Sequence, residues 1–230
     1  MAGTADVQID VAADDLLHRV GLRHKRKYDS ASVDDELRAH ARMQQDAYLK
    51  VNDRKGTDRF EYLKRHSTDK YATYIDKLND GKVVVAFRGT DPKEALHNND
   101  LVEDINIASG NVNAISEYDD YKNAVLNILD EYGDGNVSLS GYSLGGAKAV
   151  ALTRDQELRS RLGTTMALSP GMTATDKSLA EKSHDTKIQY YYNHTDNVSN
   201  ALLNHGGSNH HVFYDEYDPL KAHMSLSRWD

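Results

Sequence analysis

Ser143 stands between two glycines in Gly141-Tyr-Ser-Leu-Gly145, preceded by a β-prone run, Asn136-Val-Ser-Leu-Ser140, and followed by helix formers from Leu144 to Arg154. Strand, tight turn and helix in that order describe a nucleophile elbow. A serine on such a turn takes strained backbone angles, and its neighbours must lack bulk if strand and helix are to close on each other. Glycine answers both demands, and Gly146 extends the small surface. The turn also sets Ser143 at a helix N-terminus, where unpaired N–H groups and the macrodipole favour the negative charge that builds during attack on an ester.

A serine hydroxyl is a weak nucleophile at neutral pH, so it needs a general base within hydrogen-bond reach and an acid that orients the base. After an elbow of this kind the acid precedes the histidine in the chain. Asp196 directly follows the strand-like Lys187-Ile-Gln-Tyr-Tyr-Tyr192 and is preferred on that ground to Asp185, Asp215 and Asp218. Spacing alone leaves the base open among His205, His210, His211 and His223. His210 and His211 head a stretch, His-Val-Phe-Tyr214, that reads as a strand. The histidines between Asn204 and His211 read as surface loop residues, because no helix-spaced or carboxylate-backed ligand set accompanies them.

The attack also needs donors for the oxyanion. Lys82-Val-Val-Val-Ala-Phe87 is a continuous apolar strand that ends in Arg88-Gly-Thr90. Loops at the carboxyl ends of central strands form the active-site rim of open α/β sheets. Thr90 is therefore the candidate donor to pair with the N–H of Leu144, each such donor lowering a barrier by roughly 3 kcal/mol in comparable sites.

These residues must be carried by a sheet with helices between its strands. Ser32 to Glu36 reads as a helix start, with Leu37, Ala41, Gln44, Ala47 and Tyr48 at near-helical spacing. Tyr71 to Leu78 alternates like a half-buried strand, and Asn79-Asp-Gly81 turns it into the apolar strand as a hairpin. Glu117 to Tyr132 is amphipathic, with Tyr121, Ala124, Val125, Ile128 and Leu129 on one face. Thr164 to Leu168 and Lys187 to Tyr192 are further strands, with a short helical stretch around Asp176 to His184 between them. The alternation predicts an α/β domain with a largely parallel sheet.

Composition bounds the partners. The chain of 230 residues has net charge −8 and no cysteine. Disulfides and thiolate chemistry are excluded, and nucleic acid is not an expected partner. With 14 tyrosines against 3 phenylalanines, the core is expected to use tyrosines whose hydroxyls reach partners or solvent. No signal-like or membrane-spanning run is apparent, so the default expectation is a cytoplasmic location. Residues 1–30 form an expected N-terminal arm, and residues 31–230 one domain. The arm's basic cluster, Arg19 and Arg23 to Lys27, reads as solvated surface, with transient docking on an anionic membrane or particle as its functional alternative. Asp100 to Asp104 likewise reads as a solvated helix face rather than a divalent-metal site.

Together the motifs resemble the class 3, or fungal-type, lipase family of α/β hydrolases. Phe87-Arg-Gly-Thr90 matches the family's oxyanion strand end, and Gly141-Tyr-Ser-Leu-Gly-Gly-Ala147 its elbow. Ser169-Pro-Gly171 resembles its post-strand turn, and Asp196-Asn-Val-Ser199 the segment that holds its acid. Ala222-His-Met-Ser225, followed by Trp229, resembles its closing segment, and Gln45-Asp-Ala-Tyr48 its first helix end. Tyr142 replaces the family's elbow histidine, Asn197 and Ser199 its prolines, and no tryptophan follows the Phe-Arg-Gly-Thr motif in Asp100 to Asp104. The resemblance implies a single α/β-hydrolase-like domain and a serine ester hydrolase acting on acyl lipids or phospholipids without a cofactor. It implies Ser143 as nucleophile, Asp196 as acid, His223 as base, and Thr90 with Leu144 as oxyanion hole. The competing reading is a non-catalytic scaffold or particle component that keeps the fold. Residues 91–116, acidic and without tryptophan or phenylalanine, imply a short or open cover over the site and weak activation at lipid interfaces.

Overall fold

The computed structural model describes residues 30–89, 118–170, 185–193 and 207–212, with side chains in 35–89, 118–170 and 187–191. The chain divides into two compact units, Met1–Glu36 and Leu37–Asp230. Among the described residues no helix is long and apolar enough to cross a membrane.

The second unit is built on a sheet whose seven described strands lie side by side in chain order. They are β1 (Phe60–Tyr62), β2 (Tyr71–Asp76), β3 (Lys82–Phe87), β4 (Val137–Tyr142), β5 (Thr165–Leu168), β6 (Asp185–Asn193) and β7 (Gly207–Val212). β1, β2 and β3 pair antiparallel. From β3 to β7 every pairing is parallel. The β2–β3 turn has both Asp80 (φ 52°) and Gly81 (φ 72°) at positive φ. They are the central pair of the turn from Asn79 to Lys82 that closes the five-residue loop 77–81, with Lys82 N donating to Asn79 O at 3.0 Å; a type I′ turn demands positive φ at both, and Asp-Gly tolerates it.

Parallel neighbours need crossovers. Helix α1 (Ser30–Ala47) precedes the sheet, α2 (Tyr118–Tyr132) connects β3 to β4, and α3 (Leu144–Arg154) with α4 (Gln156–Arg159) connects β4 to β5. Right-handed crossovers between strands laid down in one direction put their helices on one face of the sheet. The core follows. On that face Val83, Val85 and Phe87 of β3 and Val137 and Leu139 of β4 pack with Tyr121, Val125, Ile128 and Leu129 of α2 and with Ala149, Leu152 and Leu158. The intervening residues Val84 and Ala86 pack on the other face with Ala72, Tyr74, Phe60, Met43 and Ala47. β3 is buried on both sides, which is why it reads as an unbroken apolar run.

The expected fold class is observed, with adjustments. α1 begins at Ser30, ahead of the Ser32 start read from capping chemistry. β1 and α4 were not anticipated. The strand expected at His211 to Tyr214 instead spans Gly207–Val212, so His210 and His211 lie within β7 in register with Tyr191 and Tyr192, rather than at a strand's head. The helical stretch expected around Asp176 to His184 and the cover at 91–116 lie outside the described residues.

Candidate active site

β4 is flanked by β3 and β5, and the three strands run parallel, so their carboxyl ends share one edge. At that edge β4 turns directly into α3. Ser143 is the junction, with φ 55° and ψ −125°, and its side chain does not cap the helix that it precedes. A positive φ costs a non-glycine residue about 1–3 kcal/mol. The surroundings hold it there: its N–H donates to Leu168 O at 3.0 Å, and its carbonyl accepts from Ala147 N at 3.1 Å. The residue is 5% exposed. Leu144 is the first residue of α3, so its N–H belongs to the turn that has no carbonyl partner within the helix.

The glycines around the serine are explained by steric room. A Cβ on Gly141 would lie 2.1 Å from Gly145 O, and one on Gly145 would lie 2.2 Å from Phe87 O. The elbow therefore touches two things at once: its own helix folds back on β4, and the helix start rests on the end of β3. Gly89 completes the contact. A Cβ there would lie 2.7 Å from Tyr48 Oη and 2.8 Å from Tyr142 O. The strand end expected to carry the oxyanion donor thus packs backbone against backbone on the serine turn, and it can do so only with glycine on both sides.

Tyr48, beyond the end of α1, fixes this strand end. Its hydroxyl accepts the Gly89 N–H at 2.8 Å. The Arg88 guanidinium lies 5.4 Å from the centre of its ring and donates to Asp69 O at 2.8 Å. Tyr48 is itself anchored through Asp46, two positions earlier in the chain. Asp46 is 8% exposed, and its carboxylate accepts from Lys55 N at 3.0 Å, Gly56 N at 3.1 Å and Tyr74 Oη at 2.9 Å. Burial and the Asp46 charge push the Tyr74 hydroxyl pKa up, so it stays a donor. Gln44 donates from Nε2 to Ser140 Oγ at 3.1 Å, tying α1 to β4 inside the core.

On the buried side of α1, His40 packs edge-on against Phe60 with 5.1 Å between ring centres. Desolvation, and then the Arg59 charge, push its pKa down to about 3. Arg59 is paired with Asp76 at 2.6 Å. Burial raises the Asp76 carboxyl, but the Arg59 hydrogen bond and the Leu78 N–H outweigh it and hold the pKa below its ordinary value.

Of the residues expected to do chemistry, Ser143 and Leu144 sit together at the β4–α3 turn. Thr90, Asp196 and His223 lie outside the described residues. Gly89, immediately before Thr90, is at the elbow, and Asp196 follows β6, which is separated from the serine's strand by β5. Asp185 opens β6 at its amino end, the opposite edge from Ser143. Neither the Tyr48 contact with Gly89 nor the Gln44 contact with Ser140 was foreseen as such. Their only trace in the sequence is the polar Gln44 and the tyrosine at the end of an otherwise apolar helix face.

A serine on a positive-φ strand-to-helix turn, with a neighbouring strand end pressed on it through glycine, is the geometry of an α/β-hydrolase elbow. A model of the Mbeg1-like family, which is lipase-like, matches residues 50–200, well over half of the chain. The chain belongs to the Mbeg1-like family. The match spans β1 to β6 and the whole elbow. No curated protein matches the chain in sequence. Among solved structures, the Lip2 lipase of Yarrowia lipolytica is similar with TM-score 0.55 and 16% identity, over 82% of this chain and 82% of that one. A deletion mutant of Rhizomucor miehei lipase in complex with its propeptide gives TM-score 0.50 and 15% identity, over 80% of this chain and 68% of that one. This Mbeg1-like chain has the α/β-hydrolase fold that these fungal lipases share.

Proposed function

We propose that the chain is a serine ester hydrolase acting on acyl lipids through an acyl-enzyme. The observation that carries the reading is Ser143 itself: a buried non-glycine residue held at φ 55° on the elbow, with a hydroxyl that does not cap the helix behind it. A turn kept only for folding would relieve its strain with glycine or use the serine as a cap. Membership of a lipase-like family and the α/β-hydrolase fold support the same reading.

In the proposed mechanism the Ser143 Oγ attacks the ester carbonyl and His223 accepts its proton. His223 then protonates the leaving alcohol, while Asp196 orients the imidazole. Thr90 and the Leu144 N–H receive the oxyanion. Water, deprotonated by His223, releases the acid in the second half. No step calls for a cofactor. The acidic composition of residues 91–116 supports an open site with a preference for phospholipid-like or shorter esters over bulk triglyceride.

A fluorophosphonate probe tests the reading, since it reacts only with an activated serine. The wild-type protein should be labelled at Ser143, should hydrolyse p-nitrophenyl esters, and should lose both properties in Ser143→Ala at an unchanged melting temperature. Absence of labelling in the wild type, or labelling that survives in Ser143→Ala, refutes it and favours a scaffold that merely keeps the fold.

A further inference from the structure

α3 carries one charged residue, Lys148, among its buried positions. Gly145, Gly146, Ala147, Ala149, Val150, Leu152 and Thr153 are all buried, and Lys148 stands among them, part-buried. A lysine is out of place there on two counts. Burial removes water from an ammonium, and the residue lies near the positive end of the helix macrodipole. Leucine or alanine would extend the helix without either cost.

The side chain has a specific seat. Helical side chains slant toward the helix N-terminus, so Lys148 leans back over the turn that holds Leu144. Its Nζ donates to Arg88 O at 3.4 Å and to Tyr121 Oη at 3.3 Å. It also lies 5.1 Å from the centre of the Tyr121 ring, a cation–π distance. Tyr121 is in turn locked edge-on against Phe87, with 5.6 Å between ring centres. The ring beneath the ammonium thus rests on the last residue of β3.

Arg88 is where β3 leaves the sheet. The register with β4 ends at Phe87 opposite Gly141, and that with β2 at Phe87 opposite Tyr71. The Arg88 carbonyl lies just past both ladders, and Lys148 supplies a donor to it from the α3 side. From the α1 side the same peptide group is held by Tyr48, through the Gly89 N–H. The peptide group that joins the two residues before Thr90 is therefore gripped from opposite faces of the sheet, its carbonyl by Lys148 and its N–H by Tyr48.

We infer that Lys148 is a positioning residue for ester hydrolysis. It fixes the Arg88–Gly89 peptide, which leads into the proposed oxyanion donor Thr90, against the elbow, and its charge adds to the positive field at the start of α3. The inference rests on the proposed role of Ser143. It differs from a purely structural role in what it predicts: the ammonium acts when the oxyanion forms, so its loss falls on kcat and spares KM.

The test uses the full-length chain with Lys148→Met, which keeps length and apolar contacts, and Lys148→Arg, which keeps the charge. Melting temperature, fluorophosphonate labelling, and kcat and KM on p-nitrophenyl butyrate are measured for each. Lys148→Met should lose about ten- to a hundred-fold in kcat and labelling rate with KM within about two-fold of wild type, and Lys148→Arg should recover most of the loss. Wild-type kcat in Lys148→Met overturns the inference, as does an equal loss in Lys148→Arg, or a loss carried by KM. Should Lys148→Met fail to fold, Tyr121→Phe carries the test, since it removes one acceptor of the ammonium and keeps the ring. A several-fold fall in its kcat at constant KM then supports the inference, and an unchanged kcat refutes it. A wild-type protein that is neither labelled nor active is a different failure: it removes the reading of Ser143, and the inference with it.

Discussion

Gly145→Ala isolates the contact between the elbow and the neighbouring strand end. Its Cβ would lie 2.2 Å from Phe87 O and 2.9 Å from both Arg88 C and Gly89 N, where Cβ atoms essentially never approach within 3.0 Å. All three atoms are backbone, so no rotamer can make room, and the end of β3 must move off α3 by about 1 Å. Overpacking of this kind costs about 1–3 kcal/mol. Alanine recovers about 1 kcal/mol of helix propensity, so the net loss is about 0–2 kcal/mol, or up to roughly 8 °C in melting temperature for a chain of this size. The functional effect should be larger, because a displacement of about 1 Å at a reacting centre costs about a hundred-fold in rate. Gly146→Ala is the internal comparator. Its Cβ meets Gly141 O and Pro170 Cβ at 3.0 Å, a contact relieved by a few tenths of an ångström, and it gains the same propensity. Thermal melts and kcat on a chromogenic ester should rank wild type and Gly146→Ala close together, with Gly145→Ala far below in kcat. Equal kcat in the two variants would refute the claim that the β3 end is positioned by its contact with the elbow.

Tyr48→Phe removes the acceptor of the Gly89 N–H but keeps the ring under Arg88. It should lower stability by about 1–2 kcal/mol in urea titration and kcat by several-fold, and an unchanged kcat would show that the Gly89 contact does not reach the site. His223→Ala should abolish turnover nearly as fully as Ser143→Ala, while His210→Ala and His211→Ala retain it; the reverse ranking by steady-state kinetics would move the base to β7. Acidification supplies a further test, through His40. Its pKa is about 3 when folded and ordinary when unfolded, so the unfolded chain binds the extra proton and stability falls as pH drops below about 6.5. Between pH 7 and pH 5 this loss is roughly 2 kcal/mol, a range in which Asp76, held below its ordinary value, does not yet titrate. His40→Phe should flatten the pH dependence of the urea midpoint over that range, and parallel curves for the two proteins would refute the assignment.

What could be read from the sequence was whatever is enforced locally. The glycines of the elbow are dictated by atoms within a few residues of the serine, and a strand-turn-helix pattern announces them. The β2–β3 hairpin is likewise set by Asp80 and Gly81 between two β-prone runs. β1 lacks such a signal, and β7 is signalled only at its end, by His211 and Val212. Phe60–Tyr62 makes only three residue pairs, and Gly207–Val212 is a polar run whose extended backbone comes from pairing with β6 rather than from its own propensity. The sheet's order explains the difference: central strands must be apolar on both faces, whereas edge strands are free to carry almost any composition.

The same distinction applies inside the site. Chemistry-bearing residues stand out because a nucleophile needs a particular turn, but the groups that hold the turn in place come from remote segments with no common spacing. Tyr48, just past α1, and Lys148 of α3 converge on one peptide group, Arg88–Gly89, and Tyr121 of α2 holds Lys148. None is required by the helix that carries it, and Lys148 is disfavoured by its own. A half-buried lysine in an apolar helix is nevertheless a visible departure from local consistency. Its meaning becomes clear only once the fold shows which carbonyl has left the sheet without a strand partner. Elbow glycines therefore mark where the reaction would occur, whereas residues that local rules disfavour mark what holds that place rigid.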